Sequence, residues 1–477
     1  MNPTFSEDKI RELFAKLADG GQIRSGEPPA RNPVHVVYGG ADLFNAGTIS
    51  KLGNLALKTI DIYAPNFVEF ARAMWLKGAE TLPIYPELIE EQEFQLADDQ
   101  ERVRSENFPV WFAWTIYQKT IAKLKTEPVE DFRIDFEDGY GIRADNEEDF
   151  HAINASSELA KGFAEGTLPD FIGFRIKSLA PETRKRAVKT LDLFLSNLIG
   201  KTAGELPPNF VVTLPKITQR QEVEVLSELL SDFEKTNKLA ENSVKLEIMV
   251  ETPQAIVNDE GKIALRSLVE AANGRCVAAH FGAYDYTASF GIAGNHQHLS
   301  HDACNFARHL MQISLAPLGV RLSDSVTTEM PIAIHRGEDL LDSQIEENRR
   351  AVRNGWRKHF NNVTRSMING FYQSWDLHPA QLVARYAAVY AFFIEAEAIQ
   401  AKRLLGFVEK ATQALTTGNQ FDDAASALGL LNFFKRAIDC GAMSEQDVYK
   451  NTGLKYKDLN IAYFAALAER KENGTFI

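Results

Sequence analysis

The chain has 477 residues, 45% hydrophobic and 25% charged, enough for a large core in one big barrel with additions or in more than one domain. Its 52 basic and 65 acidic side chains leave a net charge of −13, so no positive field attracts a polyanion and nucleic-acid binding is excluded, whereas a local basic pocket for a small anion is not. Cys276, Cys304 and Cys440 form no disulfide framework or CxxC pair, the start MNPTFSEDKI lacks a signal-peptide pattern, and no run of eighteen apolar residues occurs, so a cytoplasmic protein with no membrane span is expected.

In chain order, short runs rich in Val, Ile and Phe alternate with amphipathic stretches of helical length. The predicted strands are 34–39 (VHVVYG), 132–137 (opening FRIDFEDGYG), 171–177 (FIGFRIK), 210–216 (FVVTLPK), 246–251 (LEIMVE) and 277–281 (VAAHF), with two less regular runs at 325–330 and 368–375. Helical stretches include 149–165, 182–198, 219–235 and 263–273. This alternation means parallel strands joined by crossovers, and eight strands predict an α/β (β/α)8 TIM barrel over residues 1–380. Residues 40–130 read as a long, mostly helical insertion after the first strand, and 381–477 as an all-helical C-terminal extension. Within that extension, QLVARYAAVYAFFIEAEAIQAKRLLGFVEKATQAL is apolar on more than one face, so it needs the barrel or another subunit to cover it, and a homo-oligomer is expected.

Polar residues recur at corresponding places. Asp135, Glu137 and Asp138 end the second strand, Arg175 and Lys177 the third, Lys216 the fourth and Glu251 the fifth, while Asp285 follows the sixth. In a parallel barrel these ends converge on one face, where barrel enzymes keep their active sites. Glu251 and Asp285 follow neighbouring strands, and two carboxylates with water suit Mg²⁺, a hard cation. Such a metal binds a 2-oxo acid and stabilises its enolate, and Arg175 is suited to the same oxyanion.

LPKI (214–217), VETPQAI (250–256) and FGAYDYTASFG (281–291) resemble consecutive motifs of the citrate lyase β-subunit-like superfamily, which includes malyl-CoA lyase and the metal-dependent hydroxy-oxo-acid aldolases. IDFED resembles its acidic strand end and FRIK its arginine-bearing strand, in the same order over residues 130–295. YQSWDLHPAQL (372–382) is similar to a Trp…His-Pro segment late in the malate synthase barrel. The resemblance implies a Mg²⁺- or Mn²⁺-dependent carbon–carbon lyase or aldolase, or the reverse condensation. Its substrate would be a small oxo or hydroxy acid, with a coenzyme A thioester as one form. It implies Glu251 and Asp285 as metal ligands, Arg175 at the oxyanion, the N–H groups around Tyr284 and Asp285 at the substrate carboxylate, Lys216 at the substrate, and Glu137 and Asp138 beside the metal. Two departures stand out. Lys177 replaces the asparagine that relatives carry two residues after the arginine, which changes the expected pocket. The family's short lid motif is not visible; instead FDDAASALGLLNFFKRAID (421–439) resembles a malate synthase stretch and makes Asp423 the candidate acid or base, the alternative being a helix N-cap.

Rival readings are weaker on spacing. GNHQHLSHDAC (294–304) matches no zinc pattern and reads as a loop and helix start, LIGKT (198–202) lacks the first P-loop glycine, and DFEDGYG is out of frame for an EF-hand. His335 and His378 are candidate mouth residues. A malate-synthase-like acyl transferase, a phosphoenolpyruvate-type phosphotransferase and a degenerate barrel serving as a binding scaffold remain as alternatives.

Overall fold

The computed structural model describes residues 11, 31–409, 415–417, 420–422 and 424–460. Eight parallel strands close into a barrel in chain order: β1 (His35–Gly40), β2 (Asp131–Asp135), β3 (Phe171–Arg175), β4 (Phe210–Leu214), β5 (Lys245–Val250), β6 (Cys276–Phe281), β7 (Arg321–Val326) and β8 (Gln373–Asp376). β8 pairs back onto β1, with Trp375 opposite Val36. The first six strands lie where their apolar runs predict. β7 starts earlier than the predicted 325–330 because it reads RLSDSV, and its polar residues are satisfied in the interior: Asp324 accepts Arg308 Nε (2.9 Å) and the Ser366 hydroxyl (2.6 Å). β8 starts later than 368 because Ile368 closes the preceding helix and Gly370, at φ +84°, turns the chain.

The insertion after β1 carries α1 (Thr48–Tyr63), α2 (Phe67–Met74), α3 (Pro86–Asp98), α4 (Gln100–Glu106) and α5 (Phe108–Thr126). Asn66 caps α2 by accepting Glu69 N–H at 2.9 Å, and Asp99 caps α4 through Arg102 N–H at 3.0 Å. The crossovers that follow are α6 (Asp145–Glu165), α7 (Arg184–Lys201), α8 (Arg220–Asn237), the short α9 (Pro253–Ile256) and α10 (Leu265–Ala271), α11 (Ala283–Ala288), α12 (Asp302–Leu315) and α13 (Asp342–Ile368). After β8 come α14 (Pro379–Glu409), α15 (Ala424–Asp439) and α16 (Glu445–Thr452), with a small antiparallel ribbon, β9 (Leu415–Thr417) and β10 (Gln420–Asp422), between the first two. α14 lies against α13, α5 and α1, which bury Leu382, Val383, Tyr386, Tyr390 and Phe393. Much of its apolar surface is thus covered within one chain, while Ile399 and Leu405 stay exposed. No described helix is long and apolar enough to cross a membrane.

The barrel lumen is polar. Along β2, Asp131, Arg133 and Asp135 alternate with Phe132 and Ile134, and Phe132 packs outward on Phe44. Inside, Arg133 donates to both oxygens of Glu247 (2.8 and 2.7 Å) and to Asp131. Thr213 donates to Glu247 at 2.6 Å and Gln373 to Asp131 at 3.0 Å. The Tyr38 hydroxyl meets His280 Nδ1 at 2.9 Å. Burial pushes His280 down to about 4, so the imidazole is neutral near pH 7. Against the same burial, Arg133 keeps Glu247 below the ordinary carboxylate range. Buried charges are retained here because nearly every one has a partner.

Candidate active site

The acid-and-glycine knot FRIDFEDGYG divides its labour. Asp135 stands directly opposite Arg175 in the β2–β3 register. Its carboxylate accepts Arg175 Nε at 2.7 Å and Nη2 at 2.6 Å, a two-pronged clamp. The same carboxylate accepts the N–H groups of Glu137 (3.0 Å) and Gly139 (2.7 Å), which folds the turn. A β-carbon on Gly139 would come within 2.6 Å of Asp135 Oδ2, so the turn requires glycine. The Arg175 guanidinium also lies 4.9 Å from the centre of the Tyr38 ring, and Tyr38 stacks on Trp375 at 4.5 Å. Burial works against the Arg175 charge, yet Asp135 holds its pKa well above the ordinary value.

Lys216 joins the two halves of the site. It is a non-glycine residue in the left-handed region, at φ +50°, which costs on the order of 1 kcal/mol or more. That conformation aims its N–H at Glu251 Oε1, 2.6 Å away. Its ammonium pairs with Glu137 and, at 2.7 Å, with Asp138. Burial opposes the ammonium, and the hydrogen bonds it donates to Asp138 and Glu137 raise it above its usual range.

Glu251 follows β5 and is buried; Asp285 lies in the first turn of α11, and the two carboxyls are within hydrogen-bonding reach. Burial, then the neighbouring Asp285, push Glu251 up to about 8. Asp285 is raised too, by burial first, with a further push from Asp138. Two such carboxyls share a proton at neutral pH unless a cation replaces it. Gly282 makes the approach possible: a β-carbon there would sit 2.6 Å from Glu251 Oε2. The charge of Glu137 adds to the upward push on Glu251.

Tyr284 is half-buried, with its hydroxyl 2.9 Å from Thr328 Oγ1. Its ring packs on Val36, Met249, Val326 and Trp375, an apolar floor. The Ala283 N–H donates to Ser325 Oγ at 3.0 Å, while the next N–H groups of α11 have no intrahelical acceptor by helix geometry.

The structure thus brings Glu137, Asp138, Arg175, Lys216, Glu251, Tyr284 and Asp285 to one mouth. Lys177 does not join them, contrary to expectation. The chain has left the strand at Arg175, and the Lys177 ammonium turns to the Phe136 carbonyl (2.6 Å) and Glu148 on α6 (2.8 Å). Asp423 lies outside the described residues. The histidine-rich stretch is a short turn leading into α12, where His301 accepts Ala303 N–H at 3.1 Å. Among the described residues no group of three or more His, Cys, Asp or Glu is arranged to hold a metal. His335 pairs with Glu347 at 2.5 Å, and His378 accepts Ala380 N–H at 3.2 Å. LIGKT is the C-terminal end of α7. Tyr38 and Trp375 were not among the sequence candidates, and Asp135 was named only as one of three strand-end acids; register alone distinguishes it from its acidic neighbours.

Fold and site together define a (β/α)8 barrel with an acid pair and a clamped arginine at its C-terminal face. Over residues 21–467 the chain matches the family described as a domain of unknown function, DUF6986, and it belongs to that family. No curated protein matches it. Among solved structures it is similar to a citrate lyase from Burkholderia xenovorans LB400, with 20% identity and a TM-score of 0.50 over 70% of this chain and 91% of that one. It is also similar to the protein CitE from Mycobacterium tuberculosis, in complex with magnesium, acetoacetate and coenzyme A (17% identity, TM-score 0.43, 68% and 95% covered). A malate synthase from Haloferax volcanii gives 17% identity and a TM-score of 0.42 over 76% and 94% of the chains. At these identities the likeness is one of fold.

Proposed function

We propose that this protein is a divalent-metal-dependent carbon–carbon lyase or aldolase, or the corresponding condensing enzyme. Its substrate is a small 2-oxo or hydroxy acid, free or as its coenzyme A thioester. The observation that carries this reading is the pair of buried Glu251 and half-buried Asp285 beside an arginine fixed by Asp135. The pair fits Mg²⁺ or Mn²⁺: two hard oxygen donors crowd each other, and Gly282 leaves Glu251 the room that a β-carbon would fill. A bound ion supplies Lewis-acid stabilisation of an enolate.

The chain's own residues do the remaining work. Arg175 holds a fixed positive charge where an oxyanion develops. The N–H groups of Tyr284 and Asp285 hold the substrate carboxylate. The Lys216 amide orients Glu251, and its ammonium offsets Glu137 and Asp138 at the substrate mouth. Tyr38, Met249, Val326 and Trp375 exclude water from beneath, which strengthens each charge interaction above them. Asp423 is proposed as the acid or base that moves the proton.

Calorimetry with oxalate, an enolate mimic, tests the assignment. Oxalate should bind only with Mg²⁺ or Mn²⁺, and binding should vanish in Glu251→Gln and in Asp285→Asn. Unchanged binding in both variants would sink the metal assignment. No response to any oxo acid with either ion would favour a scaffold, and turnover of acetyl-CoA with glyoxylate would favour an acyl transferase.

A further inference from the structure

At the end of the barrel opposite Glu251 and Asp285, a cavity of about 350 Å³ opens where β7 and β8 begin. Asn32, Gln312, Arg321, Tyr372, Gln373 and Arg436 line it. Its volume falls at the small end of ligand cavities, roughly 300–1,000 Å³.

The two arginines are half-buried and differ from the buried arginines elsewhere in this molecule. Arg133, Arg175, Arg275, Arg308 and Arg385 each donate to a carboxylate, on Glu247, Asp135, Glu234, Asp324 and Asp376 respectively. Among the described residues Arg321 and Arg436 make no such pair. Arg321 lies over the Phe171 ring at 5.1 Å, and its Nε is sealed from solvent with no acceptor. Asp131 and Glu247 lie above it in the lumen, but both are taken by Arg133. Arg436 lies over the Tyr372 ring at 4.0 Å. Asp439, an acid on the same helix α15, accepts the Tyr456 hydroxyl on one oxygen at 2.6 Å; its other oxygen is buried without a hydrogen-bond partner among the described residues, and its charge offsets part of the burial of Arg436.

Burial lowers the pKa of both guanidiniums, with the nearby acids compensating only in part. Arginine stays protonated all the same, so each remains a half-buried cation with no carboxylate among the described residues paired to it. An aromatic ring lies over each guanidinium and both residues line the cavity, and a ring-supported guanidinium is suited to planar or tetrahedral oxyanions.

We infer that this cavity is a binding site for a small oxyanion, a carboxylate or a phosphate, held between Arg321 and Arg436. It lies on the face opposite the proposed catalytic centre, and the chain's overall negative charge argues against a general attraction for anions.

The test is calorimetry of the full chain in EDTA, with inorganic phosphate and succinate titrated separately. At least one should bind saturably at one site, and the tighter of the two names the class. Arg436→Gln, on a peripheral helix, should weaken that binding about tenfold or more. Arg321→Gln, checked for an unchanged melting temperature, should do the same. Glu251→Gln should leave it intact. No saturable binding of either anion would overturn the site, and so would equal affinity in Arg436→Gln. Loss of binding in Glu251→Gln would move the anion to the opposite face and equally overturn it.

Discussion

A β-carbon on Gly282 would lie 2.5 Å from the β-carbon of Glu251, so Gly282→Ala must displace that carboxylate. Metal affinity should fall roughly 10–100-fold by calorimetry while the circular dichroism spectrum is unchanged, as for other residues that act only by orienting a ligand. Asp135→Asn removes the ionic half of the Arg175 clamp. There oxalate affinity should drop while binding of Mg²⁺ alone persists, a split that general misfolding would not produce. Glu251 sets a pH dependence with a definite sign. Its folded pKa, near 8, is above the unfolded value, so the native state binds the extra proton between about pH 4.5 and 8. Stability of the metal-free protein should therefore decline as pH rises through that window, and Glu251→Gln should flatten the decline in thermal melts. Mg²⁺ should restore stability most at the alkaline end. The strand-end positions of Glu251 and Asp285 were legible from the sequence because each follows an apolar run. Asp135 was hidden because IDFED offers three acids of equal appearance, and only pairing across to Arg175 tells them apart.

At the scale of elements, period-2 alternation in DFRID was readable but its inside was not. In a half-exposed sheet the polar side faces water; in this barrel helices cover the outside, and the polar side faces the lumen. Buried polar residues also obscured β7, where the serines are buried and Asp324 is held by Arg308 and Ser366 of α12 and α13. The pairing makes a stability prediction. Arg133→Met leaves Asp131 and Glu247 in the interior without their cation, and should cost about 3–5 kcal/mol in urea unfolding. Replacing Glu247 by Met as well should recover part of that loss, since fewer buried charges then lack partners. Helix α14 shows the opposite limit of sequence reading. Its length and apolar character were plain, but the identity of its cover was not, because α5 lies far away in the chain and looks equally apolar.

For the whole molecule, the partners in the lumen come from strands far apart in sequence. Arg133 of β2 meets Glu247 of β5, Tyr38 of β1 meets His280 of β6, and Asp131 of β2 waits for Gln373 of β8. No contiguous half of the barrel contains its own set. A nascent chain that has emerged only as far as β4 carries an arginine and aspartates whose complement is still unsynthesised. Stable folding on the ribosome should accordingly be postponed until β8 has cleared the exit tunnel, which leaves chaperones a long interval in which to engage it. Chains truncated after residue 370 should show no protease-resistant barrel, whereas the full chain should. The charged lumen thereby ties the timing of folding to completion of the chain.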